Sequence, residues 1–329
     1  MQADKSQQRL KRVLAYGVVA LFFLALPAFL SPYGEQVMTR FLIFALFAMS
    51  YNIVFGYTGL LSLGHAAFFG TGGYVVGLLK LHYDLDLFWL SAPLGILVAT
   101  FIAALFGIIA LRLSGIYFLL VTLALGQMMF SLAWKVKWLN SPGIQGIVGI
   151  PLPNLGIQGF TLNMTGVYYL TLIFLTISGV LLYRLVGSPF GLALVGIREG
   201  ESRMEALGYN TWLYKYAVFV ISAAFAGIAG VLFSYYNSFI DPNHLGLGTS
   251  LLPMIMAIMG GLGTFLGPLI GAAAFIFVET YASIVSPLRW PLMLGGLLIL
   301  TIMFARDGIY VYMLRLLGKV WHGYGSIKS

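Results

Sequence analysis

Apolar runs recur along the whole of this chain, and no other property of the sequence restricts its fold as severely. They hold about 20 residues, the length a helix needs to cross a hydrocarbon core of about 30 Å. Inside lipid every backbone N–H and C=O must be paired within the protein, so runs of this kind fold as spanning helices. Composition agrees, because 60% of the residues are hydrophobic and 9% charged, with 40 glycines among 329; a soluble domain has a different balance. The sequence predicts an all-α, polytopic integral membrane protein, and no stretch between the runs is long enough for a separate soluble domain.

The candidate spans are Val13–Leu30, Met38–Phe55, His65–Leu79, Ser91–Leu111, Gly115–Trp134, Gly166–Leu185, Tyr216–Tyr236, Leu251–Leu262, Gly267–Val285 and Trp290–Ala305, about ten in all. The first follows Lys5, Arg9, Lys11 and Arg12, as the core of a signal peptide would. It reads as a retained anchor, since it has nearly a spanning length, lacks a small-x-small cleavage site and leads into further spans. Ten spans put both termini on one side. With that side cytoplasmic, the inner face collects the four N-terminal cations with Arg112, Arg184, Arg198, Arg203, Lys215, Arg306, Arg315, Lys319 and Lys328. Arg40, Lys80, Lys135, Lys137 and Arg289 fall outside or near the outer rim, with Glu35, Asp84, Asp86 and Asp241 in the same loops. The bias fits the positive-inside rule, so the net charge of +8 reports topology before it reports an acidic partner such as nucleic acid. The expected organisation is a cytoplasmic tail at 1–12, a membrane domain at 13–305 with its longest inner loop at about 186–215, and a cytoplasmic tail at 306–329.

Several spans are short and bordered by glycine, which is the mark of broken helices. FGYTGLLSLGHAAFFGTGGY, from Phe55, and GGLGTFLGPLIGAAAFIF, from Gly260, each begin with interrupting glycines and run on through small residues to phenylalanine. Aligning Gly64 with Gly271 also pairs Gly56 with Gly263, Ala66 with Ala273, Ala67 with Ala274 and Phe68 with Phe275, a weak internal repeat. Broken helices in matching halves of transporters line the pathway near the midplane. The pathway candidates are therefore Gly56, Gly59, Gly64, His65 and Phe68 in the first segment and Gly260, Gly263, Gly267 and Gly271 in the second. Small residues four apart, at Gly73 and Gly77, Ala223 and Gly227, and Ala226 and Gly230, mark faces where helices approach closely.

Catalytic chemistry is missing. The chain has no cysteine, which removes disulfides, thiolate nucleophiles and thiolate metal sites. Gly318-Lys319 is followed by Val320 without an upstream glycine, so there is no P-loop; GxSxG, HExxH and EF-hand patterns are missing as well. His65, His82, His244 and His322 are scattered, and no metal or other cofactor is expected. Gradient-driven transport needs ionisable or coordinating groups deep in the membrane. His65, Glu279 and amides such as Asn52, Gln127 and Asn237 are all the chain offers; Arg40 and Glu279 belong near outer ends, and His65 reads as a packed histidine beside a helix break. Energy for uphill transport is expected to come from another chain.

Charge concentrates instead in REGESRMEALGYNTWLYK, Arg198–Lys215, within the longest inner loop. Ser188 and Pro189 suit the start of a helix, Glu199 and Arg203 stand four apart in the order that favours a helical ion pair, and Gly208 suits a helix stop. The expectation is a short amphipathic helix, either a solvated or headgroup-bound element or a docking surface for a cytoplasmic partner.

SLGHAAFFGTGGY, GIYFLLVTLALGQMMF, SPFGLALVGIREGESRMEALGYNTWLYKYAVFVISAAFAGIAGVLF and MGGLGTFLGPLIGAAAFIF, in this order between about residues 39 and 305, resemble the LivM-type permease of branched-chain amino-acid ABC importers. The resemblance implies a bacterial inner-membrane permease working by alternating access beside a second, LivH-type permease, with two cytoplasmic ABC ATPases and an extracytoplasmic solute-binding protein as partners. It also makes Glu205-Ala206-Leu207-Gly208 similar to the EAA-type coupling segment that docks on the ATPase, so Arg198, Glu199, Glu201, Arg203, Glu205, Ala206, Leu207 and Gly208 are the coupling candidates. The element here is shorter than the usual pattern. NSPGIQGIVGIP, Asn140–Pro151, also departs from the TGG-x-x-G that precedes GIP in many relatives, so no role carries over to it. Similar permeases serve urea and short amides, and a self-sufficient secondary transporter or a membrane scaffold are the competing classes.

Overall fold

The computed structural model describes residues 23–156 and 162–285, isolated positions at 292, 295, 296, 299 and 303, and residues 308–313. The expected tail at 1–12, most of the expected first span and the tail at 306–329 apart from 308–313 lie outside the described residues, and only isolated positions of Trp290–Ala305 are described. Ten α-helices account for most of the described chain: α1 Pro32–Asn52, α2 His65–Tyr83, α3 Phe88–Ala110, α4 Gly115–Lys135, α5 Met164–Val186, α6 Pro189–Glu199, α7 Glu201–Ala206, α8 Thr211–Asn237, α9 Leu247–Gly260 and α10 Gly267–Val285. α1 starts where Ser31 accepts from the Gly34 N–H and Pro32 occupies the first turn, and it runs on through a π turn, Ile53–Tyr57.

Among the described residues, six helices are long and apolar enough to cross a membrane: Pro32–Tyr57 with its π turn, α3, α4, α5, α8 and α10. The chain is thus a polytopic membrane protein. α2 has spanning length but does not join this set, because Gly70, Gly72, Gly73, Gly77, Lys80 and His82 lower its hydropathy. Its lower two-thirds is buried from His65 to Gly77. A helix shielded by its neighbours needs small residues for close approach more than it needs a lipid-facing coat. α9 is a shorter apolar helix of 14 residues.

Glycine sets the centre of the bundle. α2 packs chiefly against α8 and α3, and a Cβ at Gly230 would collide with the Phe69 carbonyl oxygen, while one at Gly72 would collide with that of Gly227. Gly95 brings α3 in, with a Cβ there only 2.8 Å from the Gly72 oxygen. Around this crossing Phe44, Phe47, Phe69 and Phe233 interlock, the Phe47 and Phe69 centroids 4.6 Å apart.

One departure from an all-helical chain is a small antiparallel ladder, β1 Ile147–Val148 with β2 Phe239–Ile240, pairing Ile147 with Ile240 and Val148 with Phe239. Its two buried isoleucines rest on Gly77 and Gly73 of α2, so the small face expected there receives Ile147 at Gly77 and, at Gly73, both Ile240 and the Gly230 backbone of α8. The Asn140–Pro151 segment is thereby pinned down. Asn140 ties the loop shut by donating from Nδ2 to the Ala133 and Val136 carbonyls and accepting the Gly146 N–H at 2.7 Å.

Candidate functional site

Two helix breaks, residues 58–64 between the π turn and α2 and residues 261–266 between α9 and α10, meet inside the bundle. Backbone groups freed by a break in a membrane helix must be paired by neighbours, and here each break recruits its own set. In the first, Thr122 of α4 accepts the Leu63 N–H at 3.2 Å, Ser62 accepts the Gly64 N–H, and Tyr51 donates to the Ser62 carbonyl. Ser250 of α9 accepts the Ala66 N–H at 3.0 Å and so caps the start of α2. The second break is held largely by one residue of α1: Asn52 donates from Nδ2 to the Thr264 carbonyl at 2.9 Å and accepts the Gly263 N–H on Oδ1 at 3.1 Å.

At the meeting point only glycine fits. A Cβ at Gly56 would collide with Asn52 Oδ1 and lie 2.5 Å from the Gly263 nitrogen; one at Gly263, already at φ +72°, would lie 2.8 Å from an Arg198 nitrogen. Gly56 and Gly263, the pair matched by the sequence alignment of the two segments, are therefore face to face. Gly260, Gly267 and Gly271 meet at the crossing of α9 and α10, where Cβ atoms at Gly260 and Gly271 would strike the Gly267 and Met256 carbonyl oxygens. Gly64 lies against the Thr122 backbone of α4.

His65 opens α2 and is fully buried, as is Phe68. Its Nε2 lies 3.2 Å from Ser50 Oγ and 3.3 Å from Ser222 Oγ. Both hydroxyls donate elsewhere, to the Phe47 and Ser50 carbonyls, so the shared contact is satisfied when Nε2 carries the proton. The ring is stacked on Phe47 and met edge-on by Tyr51 and Phe68. Ser222 sits about 16 Å along α8 from its start and about 22 Å from its end, at 1.5 Å per residue. The polar knot and the first break are thus near mid-bundle.

The charged loop differs from the single helix expected of it. α6 is capped by Ser188 accepting the Gly191 N–H, as its sequence predicts, but the chain breaks at Gly200 and resumes as α7 before Gly208 stops it at φ +88°. Across that break Arg203 donates to the backbone carbonyl of Glu199 at 2.7 Å, in place of the anticipated side-chain ion pair. Met204 folds back onto Gly196. Glu201 pairs with Lys215, and Glu205 accepts from Thr211 at 2.8 Å, so both ends of α7 are tied to α8. Glu199, Arg203, Glu205, Ala206, Leu207 and Gly208 are exposed, Leu207 to 73%. Arg198, exposed as well, sends its guanidinium back to the bundle: it donates to the Gly56 carbonyl and its stem covers Gly59.

At the opposite end, Arg40 of α1 and Glu279 of α10 form an ion pair at 2.9 Å, with the guanidinium 5.6 Å from the Phe44 ring centroid. The sequence places both residues near that end but does not join them. A cavity of about 730 Å³ lies there too, between the ends of α2 and α4 and the loop, lined by His82, Trp134, Lys137, Asn140 and Gln145 among others. None of the nine glycine, histidine and phenylalanine pathway candidates lines it. In the turn between β2 and α9, burial raises the Asp241 carboxyl, but the hydrogen bond and charge of His244 and the amide of Asn243 outweigh it and hold the group below the usual carboxylate range. Among the described residues no cluster of three or more potential metal ligands occurs.

Sequence reasoning did not foresee Ser50, Thr122, Ser222 or Ser250 as the partners of the breaks. Their signal was faint, a lone hydroxyl inside an apolar run. A family model for the permease component of branched-chain amino acid transport systems matches residues 34–303. The chain is 29% identical to the high-affinity branched-chain amino acid transport system permease protein LivM of Salmonella typhimurium, over 91% of this chain and 75% of the relative. It is likewise 29% identical to LivM of Escherichia coli K12, over 89% and 74%, and 25% identical to the LivH permease protein of Salmonella typhimurium, over 73% and 82%. No solved structure matches the chain.

Proposed function

The chain belongs to the family of permease components of branched-chain amino acid transport systems, a family of transport permeases rather than enzymes, and on that premise we propose how it is energised. It is one membrane subunit of an ATP-driven importer, paired with a second, LivH-like permease, energised by two cytoplasmic ABC ATPases and supplied by an extracytoplasmic solute-binding protein. About ten spans, counting those at Val13–Leu30 and Trp290–Ala305, put both termini in the cytoplasm of a bacterial-type inner membrane. The cation bias orients it: Arg112, Arg184, Arg198, Arg203 and Lys215 gather at the end that holds the loop, and Lys80, Lys135 and Lys137 at the other.

The observation that carries the reading is the loop itself. α6 and α7 stand at one end of the bundle with Glu199, Arg203, Glu205 and Leu207 exposed, yet Glu201–Lys215 and Glu205–Thr211 fix them to α8. A rigid lever with a charged and apolar outer face fits docking into an ATPase cleft, because force on it reaches α8 without first taking up slack. The two helix breaks form the gate. Packed shut as they are around Gly56, Gly263 and His65, they open when the ATPases drive the lever, and solute passes between the two segments without tight binding.

Leu207→Asp is the direct test, since Leu207 is exposed and the substitution leaves the ties to α8 in place. In the assembled importer it should lower ATPase co-purification at least tenfold while the permease stays monodisperse. Full co-purification and transport would overturn the docking reading. A single cysteine at Ser202, in a chain without others, should react with an impermeant maleimide only from the cytoplasmic side; labelling from outside would reverse the topology.

A further inference from the structure

We infer that Arg198, with Asn52, is the positioning residue that carries movement of the loop to the paired helix breaks, and that it does so as a releasable clasp on the Gly56 carbonyl. The inference rests on the docking reading above but assigns Arg198 a different task from its neighbours in the loop.

Of the loop's charged residues, Arg198 reaches the gate. Glu199, Arg203 and Glu205 face outward or bind within the loop and α8, whereas the Arg198 guanidinium donates to Gly56 at the end of the π turn. Through Gly56 it touches the second break as well, for Gly263 abuts both Gly56 and the Arg198 guanidinium. Asn52, one turn earlier on α1, completes the link by holding the Gly263 N–H and the Thr264 carbonyl. The order of contact is α6, Arg198, Gly56, Gly263, and Asn52 binds the last two elements together. A pull on α6 therefore acts on both breaks at once.

The chemistry suits a contact that must let go. The π turn leaves the Gly56 carbonyl free, since the next amides go to other partners, Gly59 to Phe55 and Leu60 to Val54. Arg198 is itself exposed, so a withdrawn guanidinium is solvated rather than stranded. Guanidinium also supplies five donors in a planar fork, enough to keep the carbonyl while the lever turns through a small angle. The two glycines explain the register. Any side chain at Gly56 or Gly263 would push the breaks apart and out of reach of Arg198.

The test uses the complete importer, with permease pair, ATPases and binding protein, in proteoliposomes. Arg198→Gln should keep ATPase co-purification and solute-stimulated ATP hydrolysis within about twofold of the parent while solute moved per ATP falls at least fivefold, and Arg198→Lys should recover part of that ratio. Asn52→Asp, which keeps the acceptor for Gly263 but loses the donor to Thr264, should give a smaller fall of the same kind. An unchanged ratio in Arg198→Gln overturns the clasp. Loss of ATPase co-purification in Arg198→Gln also overturns it and returns Arg198 to the docking face, leaving the docking reading intact. Full ATPase co-purification and transport by Leu207→Asp removes the docking reading instead. If Arg198→Gln does not reach the membrane, the ratio for Arg198→Lys decides, with parent-like coupling counting against the clasp.

Discussion

The two helix breaks perform one structural task by opposite means. Residues 58–64 are mostly buried and held by Tyr51 of α1, Thr122 of α4 and their own Ser62, so no single partner holds them. Residues 261–266 are half-buried and depend on Asn52 from α1 and on Thr264, which donates to the Gly261 carbonyl. A break with many holders stays put when one is lost, whereas a break with one principal holder moves with it. The difference teaches that the same pull should displace the first break less than the second, whose placement rests chiefly on Asn52.

The largest effect that would test this contrast comes from the crossing beside the second break. Gly271→Ala places a methyl against the Met256 carbonyl and must separate α9 from α10, an overpacking cost of about 1–3 kcal/mol or more. Size-exclusion melting should show a lower transition temperature, and the same stability as the parent would mean that the crossing is looser than its geometry. Asn52→Ala comes next. It leaves the half-buried Gly263 N–H and Thr264 carbonyl without their side-chain partner, at about 1 kcal/mol for each bond lost, and amide exchange at 261–266 should rise at least tenfold while 58–64 changes little. Equal changes in both breaks would erase the distinction.

Ser250→Ala is expected to be milder, about 1 kcal/mol for a lost helix cap, with faster exchange confined to Ala66 and its neighbours because Thr122 and Ser62 still hold the first break. Spread of that effect through 58–64 would contradict the idea of shared support. The smallest change is expected in acid. Asp241 is depressed in the folded state, so its stabilising contribution is present above the unfolded value of about 3.9 and is lost as pH falls through the lower folded one. The turn Pro242–Leu245 should therefore loosen below pH 4 before residues 261–266 do, as read by pulse-labelled exchange.

Much of the scaffold was legible because hydropathy and glycine spacing are local. Gly267–Val285 matches α10, and Gly115–Trp134 misses only Lys135 of α4. Boundaries failed where a helix outran its apolar stretch: α8 begins at Thr211, not Tyr216, since Lys215 and Thr211 are acceptable helix residues that pair with the loop. The breaks could be placed from FGYTG and GGLGT, but what pairs with them could not. Arg198 and Gly56 are 142 positions apart and Asn52 and Thr264 are 212 apart, and nothing local in either segment encodes a contact of that separation. Gly200, an unremarked residue within a charged run, likewise splits the loop, with Met204 folded onto Gly196 across the break.

The π turn at Ile53–Tyr57 has a consequence for length. A wider turn stows one residue more than an α-turn does over the same stretch, so the inner end of α1 carries spare chain where it reaches Gly56. Should that turn tighten to ordinary α geometry, the surplus residue would pass into 58–64 and every carbonyl after Val54 would swing to a new bearing, with no helix having to slide as a whole.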